Sequence, residues 1–153
     1  MKITKLLHHG LGLKTVLTPG LMPALVLALL LAGASLLAPA RAATPAELLA
    51  DYSAKAGAPP SPERGRRLFN TKGAGPLEMA CADCHGAVPT GTGRHAISEK
   101  KIAPLAPAFN PQRFTNAARV EGWFRDNCKD VIGRECTAGE KADLMSWLIS
   151  LKP

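Results

Sequence analysis

Two thiols and an imidazole stand together at Cys81-Ala82-Asp83-Cys84-His85. This C-x-x-C-H spacing is the one at which haem is attached covalently in c-type cytochromes. Two thiols three positions apart reach the two vinyl groups on one edge of a porphyrin. The imidazole that follows is held under the iron as its axial ligand. Neutral imidazole ligates iron well, and its second nitrogen is usually fixed by a hydrogen bond to a carbonyl. The same residue types also suit a zinc half-site or a thioredoxin-like redox pair. Zinc needs four ligands, and no second Cys/His cluster in the chain looks like the other half. A thioredoxin-like site needs a βαβ pattern around it, and none is visible. One covalent haem c is the expected cofactor, attached at Cys81 and Cys84, with His85 as proximal ligand.

The sixth ligand decides what such a haem does. Electron carriers commonly close the site with Met sulfur, which raises the potential. Beyond the N-terminal leader, Met occurs at Met79, two residues before Cys81, and at Met145, inside the last helical pattern, where a core role fits better. Trp123 to Thr137 is where a single-haem cytochrome with this helix order places its ligand, and it holds no Met and no His. It does hold Asn127, directly before Cys128. An amide oxygen is a weak, hard donor that prefers ferric iron. A site closed by Asn127 would open on reduction. An isolated Asn near a helix end is also a common cap, so spacing alone leaves both roles open. His95, ten residues after His85 in a loop, is the rival ligand, against a solvent-facing role.

The elements that must position these groups read as all-α, short helices around a haem with the first and last crossing. Thr44, Pro45 and Glu47 form a capping box opening a helix that ends in the linker Gly57-Ala58-Pro59-Pro60. Residues 43–60 are thus a helix and linker, and 61–153 the haem domain. Ser61 and Pro62 open the next helix, where Gly65 and Phe69 share a face and Gly65 permits close approach of another helix. Arg64, Arg66 and Arg67 read as a solvated face. Residues 87–111 are rich in Gly, Pro and Thr and predict a long loop on the proximal side of the haem. Thr115 to Asn127 predicts a helix with Ala118, Trp123 and Phe124 inward. Trp123 either donates to a haem propionate or packs in the core. Thr137 and Glu140 form a second capping box, followed by the stripe Leu144, Leu148, Leu151, with Trp147 placed to pack across Gly65 and Phe69.

Upstream lies a secretory pattern. Lys2, Lys5 and Lys14 form a basic region, Leu21 to Leu37 an apolar core, and Ala40-Arg41-Ala42 a small-x-small cleavage site. Residues 1–42 are therefore expected to be a signal peptide directing the chain to the periplasm. An uncleaved anchor is the alternative, although Pro23, Gly33 and Pro39 interrupt or flank the run. Removing four basic residues and no acid lowers the formal charge from +7 to +3. That is no nucleic-acid footprint, and suits docking to a mildly acidic partner. In an oxidising compartment the remaining cysteines, Cys128 and Cys136, should pair, contributing about 2–3 kcal/mol by the chain-entropy model. With one Tyr, two Trp and four Phe in all, the chain needs the haem as apolar core.

Several runs occur in order: Arg64-Gly65-Arg66-Arg67-Leu68-Phe69, the C-x-x-C-H motif, Ile102-Ala103-Pro104-Leu105-Ala106-Pro107, Trp123-Phe124-Arg125-Asp126-Asn127-Cys128, Gly133-Arg134-Glu135-Cys136-Thr137 and Glu140-Lys141-Ala142-Asp143. Together they resemble the sphaeroides haem protein family, single-haem class I c-type cytochromes grouped under a domain of unknown function. The resemblance spans roughly Thr44 to Leu151. It implies the class I cytochrome c fold, with Cys81, Cys84 and His85 holding the haem. Asn127 matches the distal ligand, which leaves on reduction so that oxygen or nitric oxide can bind. Cys128 and Cys136 match the family's disulfide near the haem. It also implies a dihaem c-type cytochrome, with a membrane cytochrome b upstream, as electron donor. The Pro104 carbonyl becomes a candidate acceptor for the second nitrogen of His85. One departure is Glu99-Lys100-Lys101, where a Gly is expected before the lysine.

Three functions remain: a gas-binding redox haem protein, a simple six-coordinate electron carrier, and a small oxygen reductase or nitric oxide dioxygenase. The last needs proton donors beside the bound gas, which the sequence does not place. Intact-mass measurement of the exported protein is expected to give a chain starting at Ala43 plus one haem; a mass retaining residues 1–42 would indicate an uncleaved anchor.

Overall fold

Among the described residues, side-chain caps start four of the five helices. The computed structural model describes residues 42–153, so the expected signal peptide, apart from Ala42, lies outside the described residues. Helix α1, Pro45–Ala56, opens on the Thr44 hydroxyl, which accepts from Glu47 N at 3.1 Å, while the Glu47 carboxylate accepts from Thr44 N at 2.8 Å. Gly57, at φ 65°, ends it. Helix α2, Pro62–Asn70, opens on Ser61. The haem motif itself forms the short helix α3, Cys81–His85. Helix α4 is Ala117–Ile132, capped by the Asn116 side chain, and α5 is Ala138–Ser150, with Thr137 and Glu140 forming its capping box.

Some expectations change. The proximal loop carries a small antiparallel pair, β1 Gly93–Arg94 and β2 Lys101–Ile102, with Gly93 opposite Ile102. Four residues of pairing are too few to leave a period in the sequence. Helix α4 also runs past Asn127 to Ile132, because nothing breaks it before Gly133, at φ 85°. Ala118 is exposed; the buried side of α4 is Val120, Cys128 and Val131, with Phe124 half-buried.

The packing centre is the crossing of α2 and α5. A Cβ at Gly65 would lie 2.1 Å from the Asp143 carbonyl oxygen, so only glycine lets the two backbones touch. The crossing seats Phe69 against Trp147 with ring centroids 5.0 Å apart. Leu144 and Leu148 are buried beside them, and Met145 is fully enclosed. The Asp143 carboxylate accepts from Ser61 N at 2.6 Å and from Arg64 Nε at 2.7 Å, tying the start of α2 to α5. Arg64 is therefore a tether rather than part of a freely solvated face.

Helix α1 joins the same core through Leu48 and Tyr52. The Tyr52 hydroxyl donates to Glu121 Oε2 at 2.7 Å, and the buried Lys141 ammonium pairs with the same carboxylate. These bonds connect α1, α4 and α5 and hold the Glu121 carboxyl below its ordinary range, Lys141 contributing most. Phe114 enters the core from a left-handed backbone, φ 60°, a local strain of about 1–2 kcal/mol.

Gly65→Ala tests the crossing. The gain in helix propensity is about 1 kcal/mol; overpacking against a backbone carbonyl is expected to cost about 3 kcal/mol, read as a lower denaturant midpoint and poor haem incorporation. Acid stability tests the start of α5. The Arg134 guanidinium, at 2.7 and 2.8 Å, and the Thr137 amide hold the Glu140 carboxyl down to about 2 from 4.5. A depressed carboxyl contributes stability that is complete above 4.5 and lost as pH falls toward 2. Glu140→Gln should flatten that part of the stability–pH curve and leave the fold intact at pH 7.

Candidate haem site

The C-x-x-C-H spacing becomes geometry in α3. Cys81 and Cys84 are one helical turn apart on one face. Asp83 fixes the start of that turn by accepting from Ala80 N at 2.8 Å. Both thiols are free and half-buried, and burial pushes the Cys81 thiol up to about 11. His85 is also half-buried. Burial first, then the charges of Arg113 and His95, lower it to about 4, so the imidazole is neutral, its ligating form, at ordinary pH. Its ring lies 6.1 Å from that of Phe69, which the α2–α5 crossing positions.

A cleft opens in front of this wall. Phe69, Leu105, Val120, Phe124, Leu144 and Leu148 are among its apolar lining, and Cys81, Cys84 and His85 open into it. A second wall comes from α4, where Val120, Trp123, Phe124 and Asn127 follow one another at helical spacing. Two thiols, a neutral imidazole and an apolar slot fit a covalent haem. Among the described residues no group of three or more His, Cys, Asp or Glu is placed to hold a metal ion by itself, which disfavours the zinc alternative. Among them, too, no helix is long and apolar enough to cross a membrane.

Asn127 sits five residues before the end of α4, so it caps nothing. Its Nδ2 donates to the Trp123 carbonyl at 2.8 Å, one turn back in the same helix, and its Oδ1 has no hydrogen-bond partner among the described residues. The side chain is exposed along the cleft. His95 also lines the cleft, but on the wall of the motif. A Cβ at Gly93 would lie 2.4 Å from the Cys84 carbonyl oxygen, and Ala96 N lies 3.4 Å from Cys84 Sγ, so the β1–β2 turn is seated on α3. The Nδ1 of His95 accepts from Ile97 N and Ser98 N, which ties the ring to its own turn. Met145 is fully enclosed and does not reach the cleft, whereas Met79 lines it beside the motif.

Cys128 and Cys136 are bonded, with Cα atoms 5.6 Å apart, joining α4 to the start of α5 immediately after Asn127. The segment before the motif is fastened to the end of α4. Gly75 N donates to Val131 O at 2.9 Å and Leu77 N to Asp130 O at 3.2 Å. Trp123 is 38% exposed at the cleft and carries the Arg113 guanidinium over its ring at 4.8 Å. The Pro104 carbonyl accepts from Arg113 Nε at 2.8 Å and Asn110 Nδ2 at 3.1 Å. Arg113 is the site-adjacent residue that sequence reasoning missed: a lone arginine in a loop carries no pattern.

The match to a family model, domain of unknown function DUF1924, covers residues 55–148. Cytochrome c-type protein SHP of Cereibacter sphaeroides is 51% identical over 126 residues, 81% of this chain and 95% of its own length. The structure of oxidised SHP, described as an oxygen-binding cytochrome c, superposes with a TM-score of 0.68 over 72% of this chain and 99% of that one. The solution structure of cytochrome c'' from Methylophilus methylotrophus, described in terms of haem-ligand detachment, is 33% identical, with a TM-score of 0.65 over 71% and 94%. With its all-α cytochrome c fold and single haem c, the chain belongs to this DUF1924 family of sphaeroides haem proteins.

Proposed function

We propose that the chain is a periplasmic electron-transfer cytochrome that exchanges Asn127 for a diatomic gas, oxygen or nitric oxide, on reduction. The haem supplies an iron that takes up one electron and, once ferrous, has affinity for such gases. The chain supplies the asymmetry between its two faces. His85 is neutral, half-buried and backed by Phe69, so it would hold the iron from one face. Asn127 would offer a hard amide oxygen from the other, a donor type that favours ferric over ferrous iron.

The observation that carries this reading is the place of Asn127. It lies on the cleft-lining face of α4, in an interval without Met or His, with its amide oxygen unpartnered among the described residues. The oxygen-binding description of the SHP structure supports the gas, and the haem-ligand detachment described for cytochrome c'' supports a leaving ligand. Export to the periplasm rests on the leader pattern and on the bonded Cys128–Cys136 pair. A dihaem c-type cytochrome, itself fed by a membrane cytochrome b, is the proposed electron source.

Visible spectra test the proposal. The parent protein is expected to be low-spin when ferric, five-coordinate and high-spin when ferrous, and to take up carbon monoxide only when ferrous. Asn127→Ala should turn the ferric form high-spin without lowering stability, since Ala in a helix interior is favoured over Asn by about 0.5 kcal/mol. Asn127→His should close both states and suppress carbon monoxide binding at least tenfold. A low-spin ferrous parent inert to carbon monoxide would leave the simple carrier; an unchanged ferric spectrum in Asn127→Ala would remove Asn127 as ligand.

A further inference from the structure

We propose that Arg113 is the charge partner of a haem propionate, held in place by the proximal loop and the face of Trp123. Arg64, Arg67, Arg94, Arg125 and Arg134 each pair with a carboxylate. Among the described residues Arg113 pairs with none, yet alone among the described arginines it is not exposed. Removing a guanidinium from water without an anion is unfavourable, and burial accordingly lowers its affinity for the proton. Only part of its donor set is used. Nε donates to Pro104 O and Nη2 to Ala103 O, both at 2.8 Å, while Nη1 has no hydrogen-bond partner among the described residues.

The position says what the missing partner is. Ala103 and Pro104 lead directly into Leu105, one wall of the cleft, and Trp123 is part of the other. The guanidinium therefore stands between the backbone that leads into one wall and an indole ring of the other, 2.8 Å from Pro104 O and 4.8 Å over the Trp123 ring. A haem carries two carboxylate arms, and a planar guanidinium with a spare N–H is well shaped to receive one. Stacking on the indole keeps the plane of the fork fixed. The inference needs the haem that the family carries but not Asn127, so it survives or fails independently of the ligand-exchange proposal.

The test is the midpoint potential of holoprotein between pH 5 and 8 for the parent, Arg113→Lys and Arg113→Gln. A cation beside the haem favours the reduced state and keeps the propionate ionised. Arg113→Gln should shift the midpoint negative and make it pH-dependent as the released propionate titrates; Arg113→Lys should recover most of the parent value. Identical midpoints and pH profiles in parent and Arg113→Gln overturn the proposal. So does a change confined to the salt dependence of reduction by a partner protein, which would assign Arg113 to a carboxylate on that partner. If Arg113→Gln fails to take up haem, resonance Raman of the parent decides. A propionate bending band typical of a hydrogen-bonded carboxylate supports the pairing, and one typical of a free carboxylate refutes it.

Discussion

The contact between Gly65 and the Asp143–Leu144 backbone is where the haem site begins. Two helices whose axes are set by backbone contact cannot slide without a steric cost, because no side chain lies between them to adjust. Asp143 reinforces that register by binding both Ser61 N and Arg64. Phe69, one turn after Gly65, is thereby fixed between Trp147 and His85. The proximal imidazole is thus backed by a ring whose own place is set on the far side of the core. Rigidity of that wall follows from packing density rather than from any one strong bond.

The second wall depends on α4, and its attachments are of another kind. The Cys128–Cys136 bond and the hydrogen bonds from Gly75 and Leu77 fasten its C-terminal end. The Tyr52–Glu121–Lys141 group fastens it to α1 and α5. Arg113 on Trp123 ties it to the proximal loop. Helix α4 is therefore well held as a backbone, while the side chains along its cleft face, Trp123 and Asn127, remain exposed.

Much of this was legible beforehand because it depends on local chemistry. Caps at Thr44, Ser61 and Thr137, the glycine at 65, the haem motif and the cysteine pair each announce themselves within a few residues. The end of α4 was not legible, since an Asn-Cys pair in a helix interior looks like a terminus until Gly133 is seen to close it. The role of Arg64 was hidden for a different reason: its partner is 79 positions away. Arg113 and the β1–β2 pair share that limitation, being defined by tertiary neighbours. The Glu99 departure gains a meaning only from the backbone. Its φ of 57° is the conformation a glycine would adopt without strain.

The difference between the walls bears on how a ligand could leave without disturbing the fold. If Asn127 were packed, its departure would open a cavity and cost several kcal/mol. It is exposed, and its one hydrogen bond runs to the carbonyl of Trp123 in its own helix. Turning such a side chain would break no hydrogen bond to another element among the described residues, so the barrier would be a rotamer change of the kind exposed residues make freely. On the proposed reading, the cost of ligand exchange would lie almost wholly in an iron–amide bond, weak for a hard oxygen donor and weaker still toward ferrous iron. A covalently tethered haem, a densely backed imidazole and a fastened α4 allow one small side chain to move while everything around it stays put.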